Sequence, residues 1–189
     1  SVAGITEITF IIGHLGYQIK EYCKTYESLT NFNYVMQEKR LGLGHAVKMG
    51  LSDVDEPVLI LLGDAIIELD YKQMLASSRN VIAVFKVPDP QRFGIVEHKG
   101  MLISKLVEKP KDPKSNLAIG GAYLINSQKK LLDSINYLEK NNITTNGEYQ
   151  LTDALQYMIE TGDEFVIQKI ENCLDCGIPE TLIDTNKIL

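Results

Sequence analysis

The chain has 189 residues, 44% apolar and 23% charged, with a formal net charge of −6. That length and composition suit one soluble globular domain, and the acidic balance argues against a nucleic-acid grip, which would want a basic face. No apolar run reaches the about 18 residues of a membrane span, no signal peptide is legible, and three cysteines make no disulfide framework, so a reducing cytoplasm is the expected compartment.

Ile5 to Ile12 reads as a strand. The chain starts at Ser1 rather than Met and runs at once into Ile8, Phe10, Ile11 and Ile12, so residues upstream are expected to be missing. Ile19, Tyr22, Cys23 and Tyr26 recur at helical spacing, Tyr34 to Gln37 reads as a short strand, and Leu43, Ala46, Val47 and Leu51 predict a second helix. Val58 to Leu62 is apolar without alternation, the pattern of a parallel strand buried on both faces. A short helix over 71–78 and a β-prone run from Val81 to Val87 follow. Strand and helix alternating at short intervals predict βαβ units. After that, Phe93 to Glu97, Leu102 to Val107 and Leu117 to Ile125 read as strands with no helix between them, so antiparallel additions are expected. A helix over 127–140, an amphipathic helix on Leu151, Ala154, Leu155, Met158 and Ile159, and a strand from Phe165 to Ile170 come next. Pro179 opens a last helix. With no repeat or linker, residues 1–189 form one expected domain: α/β, a mixed, mainly parallel open sheet flanked by helices.

Several positions invite chemistry, each with a plain alternative. Asp64 follows the 58–62 strand, and ligands gather at the carboxyl ends of strands in open α/β sheets. Such a carboxylate can hold Mg²⁺, but a turn or cap residue looks the same. Asp175, in Leu174-Asp175-Cys176-Gly177, is a second acid of this kind, or a turn before the Pro179 helix. Gln37 to Ala46 runs from a strand end through glycines into a helix; a Gln amide can pair with a base edge, and an ordinary βα loop would also read this way. Glu108-Lys109-Pro110 sets an acid beside a base at a strand end, suited to a sugar hydroxyl and a phosphate or else to a solvated turn. Glu148 is read at a helix start, where the dipole alone accounts for a carboxylate. Cys173 and Cys176 lack the further ligands of a zinc site, and their spacing is read as coincidence.

Taken in order, these strings resemble the sugar-1-phosphate nucleotidylyltransferases, in particular the glucose-1-phosphate thymidylyl- and uridylyltransferases. The matching strings are Gln37…Gly42-Leu43-Gly44-His45-Ala46-Val47, Leu62-Gly63-Asp64, Asp89-Pro90-Gln91-Arg92-Phe93-Gly94 and Glu108-Lys109-Pro110 with Ser115-Asn116-Leu117-Ala118. Gly147-Glu148-Tyr149-Gln150-Leu151-Thr152-Asp153 and Asp175-Cys176-Gly177 with Pro179-Glu180 complete the series. The likeness runs over essentially the whole chain.

The resemblance implies a Rossmann-like nucleotidyltransferase fold and transfer of a nucleotidyl group from dTTP or UTP to glucose-1-phosphate with release of pyrophosphate. It implies Mg²⁺ held by Asp64 and Asp175, with Lys109 on the sugar phosphate and Gln37 and Gly42 at the base. Gly94, Glu108 and Gly121 would line the sugar pocket, supported by Glu148 and Asp153. It further implies small-molecule substrates, no nucleic acid or membrane partner, and a family in which homo-oligomers are common. The family opens with a first strand and a Gly-rich phosphate loop carrying Gly-Thr-Arg. The first strand and phosphate loop are missing here, so this chain as given is expected to be inactive or marginally stable. Cys173 also departs from the aromatic that many members carry there. A non-catalytic nucleotide-sugar-binding or regulatory domain of the same fold is the competing reading. A glycosyltransferase would need an Asp-x-Asp near the metal, and Asp53-Val54-Asp55 precedes its strand instead of following it.

Overall fold

A computed structural model describes residues 4–189. In chain order its elements are β1 (Glu7–Ile12), α1 (Gly16–Cys23), β2 (Asn31–Met36), α2 (Leu43–Gly50), β3 (Val58–Leu61), β4 (Ala65–Ile67), α3 (Tyr71–Leu75), β5 (Asn80–Lys86), β6 (Gly94–Lys99) and β7 (Leu102–Glu108). Then come β8 (Leu117–Ile125), α4 (Gln128–Lys140), α5 (Leu151–Glu160), β9 (Phe165–Lys169), β10 (Cys173–Asp175) and α6 (Pro179–Ile188). No helix among the described residues is long and apolar enough to cross a membrane.

Six strands form one sheet in the order β3-β8-β5-β9-β7-β6, and β1 pairs with β2 in parallel as a separate ribbon. The mixed α/β sheet flanked by helices is as expected, but direction and pairing diverge. Strands β3, β5 and β6 all run opposite to β8, and β9 runs with β5, so four strands share one direction. Only the β5–β9 ladder of this sheet is parallel. The cause is β8, a late strand inserted antiparallel between β3 and β5. Its small residues Ala118, Gly120, Gly121 and Ala122 let neighbours approach closely, and it is buried at every position.

The same insertion corrects the reading of 58–62. Strand β3 is not buried on both faces but lies at an edge with β8 its only partner among the described residues, and Leu61 is 50% exposed. The unbroken apolar run is shared instead between a half-covered face and the core below.

One face of the sheet carries α2, α4 and α5, where Leu131, Ile135, Leu151 and Leu155 pack against Val84, Tyr123, Phe165 and Ile167. Each such side chain, fully buried, stabilises the fold by about 1.5–3 kcal/mol before conformational entropy is counted. The other face is thinner: Met74 of α3 and Ile170 cover Val81, Ala83, Ala122 and Leu124. Asp64 follows β3, Glu108 ends β7 and Gly121 lies within β8, whereas Gln37 and Gly42 follow β2 and Asp175 ends β10.

Candidate active site

A ribbon absent from the sequence reading sets the two aspartates. Strands β4 and β10 pair antiparallel with Ala65 opposite Asp175 and Cys173 opposite Ile67. The ladder continues one step, Cys176 N–H donating to the Asp64 carbonyl at 2.7 Å. Gly177 then turns its N–H onto Asp175 Oδ1 at 2.8 Å. A Cβ placed on Gly177 would lie 3.1 Å from Asp175 Oδ1 and 3.5 Å from Asp64 Oδ2, so both carboxylates face one small space. No third His, Cys, Asp or Glu joins them in a metal-holding group among the described residues. Two carboxylates completed by phosphate oxygens and water are a donor set that suits Mg²⁺.

The second cluster forms where β6 and β7 meet α5. Gly94 pairs with Glu108 across the ladder, and Thr152 Oγ1 donates to Glu108 Oε2 at 2.6 Å. A Cβ on Gly94 would strike Ile119 Cδ1 at 2.9 Å and crowd Thr152 Oγ1 and Glu108 Oε2, so glycine there keeps the carboxylate open. On a continuing strand, Lys109 would point away from Glu108. It does not, because the strand ends: Lys109 has φ 42, in the left-handed region, and its N–H donates to the Phe93 carbonyl at 3.0 Å. Its ammonium thus stands 3.9 Å from Glu108 Oε1. A side-chain-bearing residue in that conformation, directly before a proline, is strained.

Between the clusters lies Tyr123 on β8. Burial pushes its phenol far above the usual value, with Glu108 and then Asp64 adding to the effect. It therefore keeps its proton beside both acids. Gly121, at φ 79, hands its carbonyl to Leu62 N–H at 2.9 Å and backs the Leu62–Asp64 turn.

The third cluster joins Gln37, Gly42 and Glu148. Gln37 follows β2 and extends its ladder by donating N–H to the Ile12 carbonyl at 2.8 Å. Gly42 caps α2 at φ 112, a conformation for glycine alone, and a Cβ there would lie 2.6 Å from the Tyr149 carbonyl and 2.9 Å from Glu148 Cβ. Tyr149 fastens this loop by donating to the Leu41 carbonyl at 2.8 Å and accepting from Gly44 N–H at 2.8 Å. Glu148 does not start a helix, as α5 begins at Leu151. It closes a tight turn in which Asn146 and Gly147 both have positive φ and Thr145 and Glu148 exchange backbone hydrogen bonds. Gln150 Nε2 donates to Glu148 Oε2 at 3.0 Å.

Asp153 stands apart from these groups in the first turn of α5. Burial raises its carboxyl above the ordinary value, the Thr145 hydroxyl works against that, and its Oδ2 is buried without a hydrogen bond. Cys173 lies on β10 with its Sγ 3.6 Å from the Gly120 carbonyl and its thiol pushed up to about 11, chiefly by burial and then by Asp175 and Asp64. It stays protonated at neutral pH. Sequence reasoning did not single out Thr152, Tyr123, His45 or Gly177; all but Tyr123 sit inside motif strings already quoted.

A profile of the family described as Nucleotidyl transferase matches residues 1–189. The chain belongs to that family. Its relatives place this nucleotidyl transferase among the sugar-1-phosphate nucleotidylyltransferases. It is 32% identical to the low-salt glycan biosynthesis nucleotidyltransferase Agl11 of Haloferax volcanii, over 99% of this chain and 54% of that protein. It is also 32% identical to the bifunctional sugar-1-phosphate nucleotidylyltransferase/acetyltransferase of Sulfurisphaera tokodaii, over 97% of this chain and 44% of that protein. The chain thus spans about half the length of the curated relatives it matches. Its fold matches a UDP-glucose pyrophosphorylase complexed with UDP-glucose at TM-score 0.82 and 23% identity, over 98% of this chain and 81% of the other. At that identity the likeness speaks for the fold alone.

Proposed function

We propose that this nucleotidyl transferase moves the nucleotidyl group of dTTP or UTP onto glucose-1-phosphate. An oxygen of the sugar phosphate forms a bond to the α-phosphorus, the bond from that phosphorus to the β-phosphate bridge breaks, and pyrophosphate leaves with the electron pair. No protein nucleophile takes part, so the residues position the substrates and offset charge. The observation that carries this reading is the facing pair Asp64 and Asp175. These would hold Mg²⁺, whose part is to neutralise charge on the reacting phosphates.

Lys109 adds a cation for the sugar phosphate, turned into place by its left-handed backbone. Glu108, aimed by Thr152, accepts hydrogen bonds from sugar hydroxyls beside the bare Cα of Gly94 and the turn at Gly121. Gln37 and Gly42 meet the base, while Glu148 and Asp153 support the sugar side. The names of the relatives agree with a nucleotide and a sugar-1-phosphate as substrates.

The test is Mg-dependent pyrophosphate release from dTTP or UTP with glucose-1-phosphate, measured for the chain and for a form extended by its native flanking sequence. Release abolished by Asp64→Ala establishes the reaction. Silence from both forms with every nucleotide and sugar phosphate supplied overturns it in favour of a non-catalytic nucleotide-sugar-binding domain.

A further inference from the structure

We infer that His45 sets the nucleobase preference by fixing which way round the Gln37 amide stands. This rests on the reading of Gln37 and Gly42 as the base contact. The Gly42 carbonyl can only accept, and it takes Ala46 N–H at 3.1 Å and Gln37 Nε2 at 3.3 Å. The end of Gln37 facing Gly42 is therefore the NH₂ group. Its other hydrogen goes to His45 Nδ1 at 3.0 Å. His45 Nδ1 must then be the bare ring nitrogen, with the proton on Nε2. Both amide hydrogens are used, and Gln37 Oε1 takes no hydrogen bond from a described residue, nor is it among the buried polar atoms left without a partner.

Gln37 consequently offers an acceptor. The Gly42 N–H also makes no hydrogen bond to a described residue, so an outward acceptor stands near a backbone donor. Uracil, thymine and guanine present a ring N–H beside a carbonyl and match that pair. Cytosine and adenine present a bare ring nitrogen beside an amino group and oppose it, acceptor against acceptor. Gln37 alone cannot discriminate, because a half-turn of its amide exchanges donor for acceptor. Removing the bare nitrogen of His45 leaves the Gly42 carbonyl as the sole brake on that half-turn. His45 occupies the third position of α2, which the glycine cap at Gly42 and the Tyr149 hydrogen bond to Gly44 hold in place. It is a positioning residue that touches no substrate.

The experiment compares UTP with CTP, which share size, ribose and triphosphate, by calorimetric dissociation constants. The ratio is independent of phosphate contacts and of the fraction of competent protein. The chain is expected to favour UTP by about tenfold or more, the scale of one mismatched hydrogen bond. His45→Leu is expected to bring the ratio close to one. His45→Asn should restore it, since Asn Oδ1 takes the place of Nδ1 as acceptor. A His45→Leu variant that keeps the full preference while Gln37→Leu loses it overturns the inference and leaves the base contact standing. A Gln37→Leu variant that keeps the preference overturns the base contact itself, as does a form extended by its native flanking sequence that binds UTP and CTP equally.

Discussion

A single methyl group at Gly177 distinguishes a shared cation site from two unrelated turn aspartates. Its Cβ would stand 3.1 Å from Asp175 Oδ1 and 3.5 Å from Asp64 Oδ2, with no other side chain or distant backbone within 4 Å. Magnesium sits about 2.1 Å from its oxygens, so a cation held by both carboxylates needs the space this methyl fills. The protein's stability, by contrast, should hardly change. Gly177 has no positive φ to relieve, and the one tight contact asks a carboxylate to yield by a few tenths of an ångström. Gly177→Ala should therefore cost under about 1 kcal/mol, or roughly 4 °C in melting temperature. Pyrophosphate release should fall about 100-fold or more, the usual scale for losing one electrostatic support of a transition state. Magnesium titrations of turnover and of direct binding, read beside a thermal melt, make the assay. Gly63→Ala, whose Cβ would meet nothing within 4 Å, is the matched control and should be neutral. Wild-type turnover and magnesium half-saturation in Gly177→Ala would refute the shared site.

Other substitutions probe the rest of the site. Gly42→Ala meets both a forbidden φ and backbone at 2.6 Å; it should destabilise the chain by about 3 kcal/mol, roughly 6–12 °C by calorimetry. Lys109→Gly and Lys109→Ala should lose turnover alike, since both lack the ammonium, but Lys109→Gly should be the more stable by about 1 kcal/mol because it relieves the left-handed strain. Thr152→Val should raise KM for glucose-1-phosphate by about tenfold, with the fold intact, by removing the hydrogen bond that aims Glu108. The Asp153 carboxyl is raised above its ordinary 3.8 by burial, so the folded state holds its proton more tightly and ionisation works against folding. That penalty is absent at pH below 3.8 and grows as pH rises through the folded value. Asp153→Asn should thus melt higher than the wild type at pH 7, with the gap closing on acidification and with turnover lowered.

The local elements were legible because their patterns were long: α4, α5 and β8 stand where apolar spacing put them. What misled was the run at 58–62. An unbroken apolar strand signals cover on both faces, yet the cover depends on which strand lies alongside, and the insertion of β8 from sixty residues later carries no local signal. The β4–β10 ribbon escaped for the same reason: three-residue strands are too short for a period, and their pairing joins positions over a hundred residues apart. The site was legible as a series of short strings, each weak, whose order identified the family. Its working details were not. That Lys109 turns toward Glu108 follows from a backbone angle, and that Gly177 keeps two carboxylates clear follows from a contact between distant turns. His45 and Thr152 were in plain view, but the roles proposed for them rest on their partners, the Gln37 amide and the Glu108 carboxylate.

The fastening at Tyr149 has a consequence for anyone who would reprogram this chain. The backbone of one residue holds both Leu41 and Gly44 of the 37–44 loop, and the same short segment carries Glu148. A change that reshapes the 145–150 turn is therefore expected to shift the 37–44 loop with it, and the reverse holds too. On the proposed roles of Gln37, Gly42 and Glu148, base and sugar preference are mechanically linked, and libraries that vary one loop at a time are expected to yield mostly misfitted combinations. Productive variants will arise from changing both segments together while leaving the Tyr149 backbone where it is.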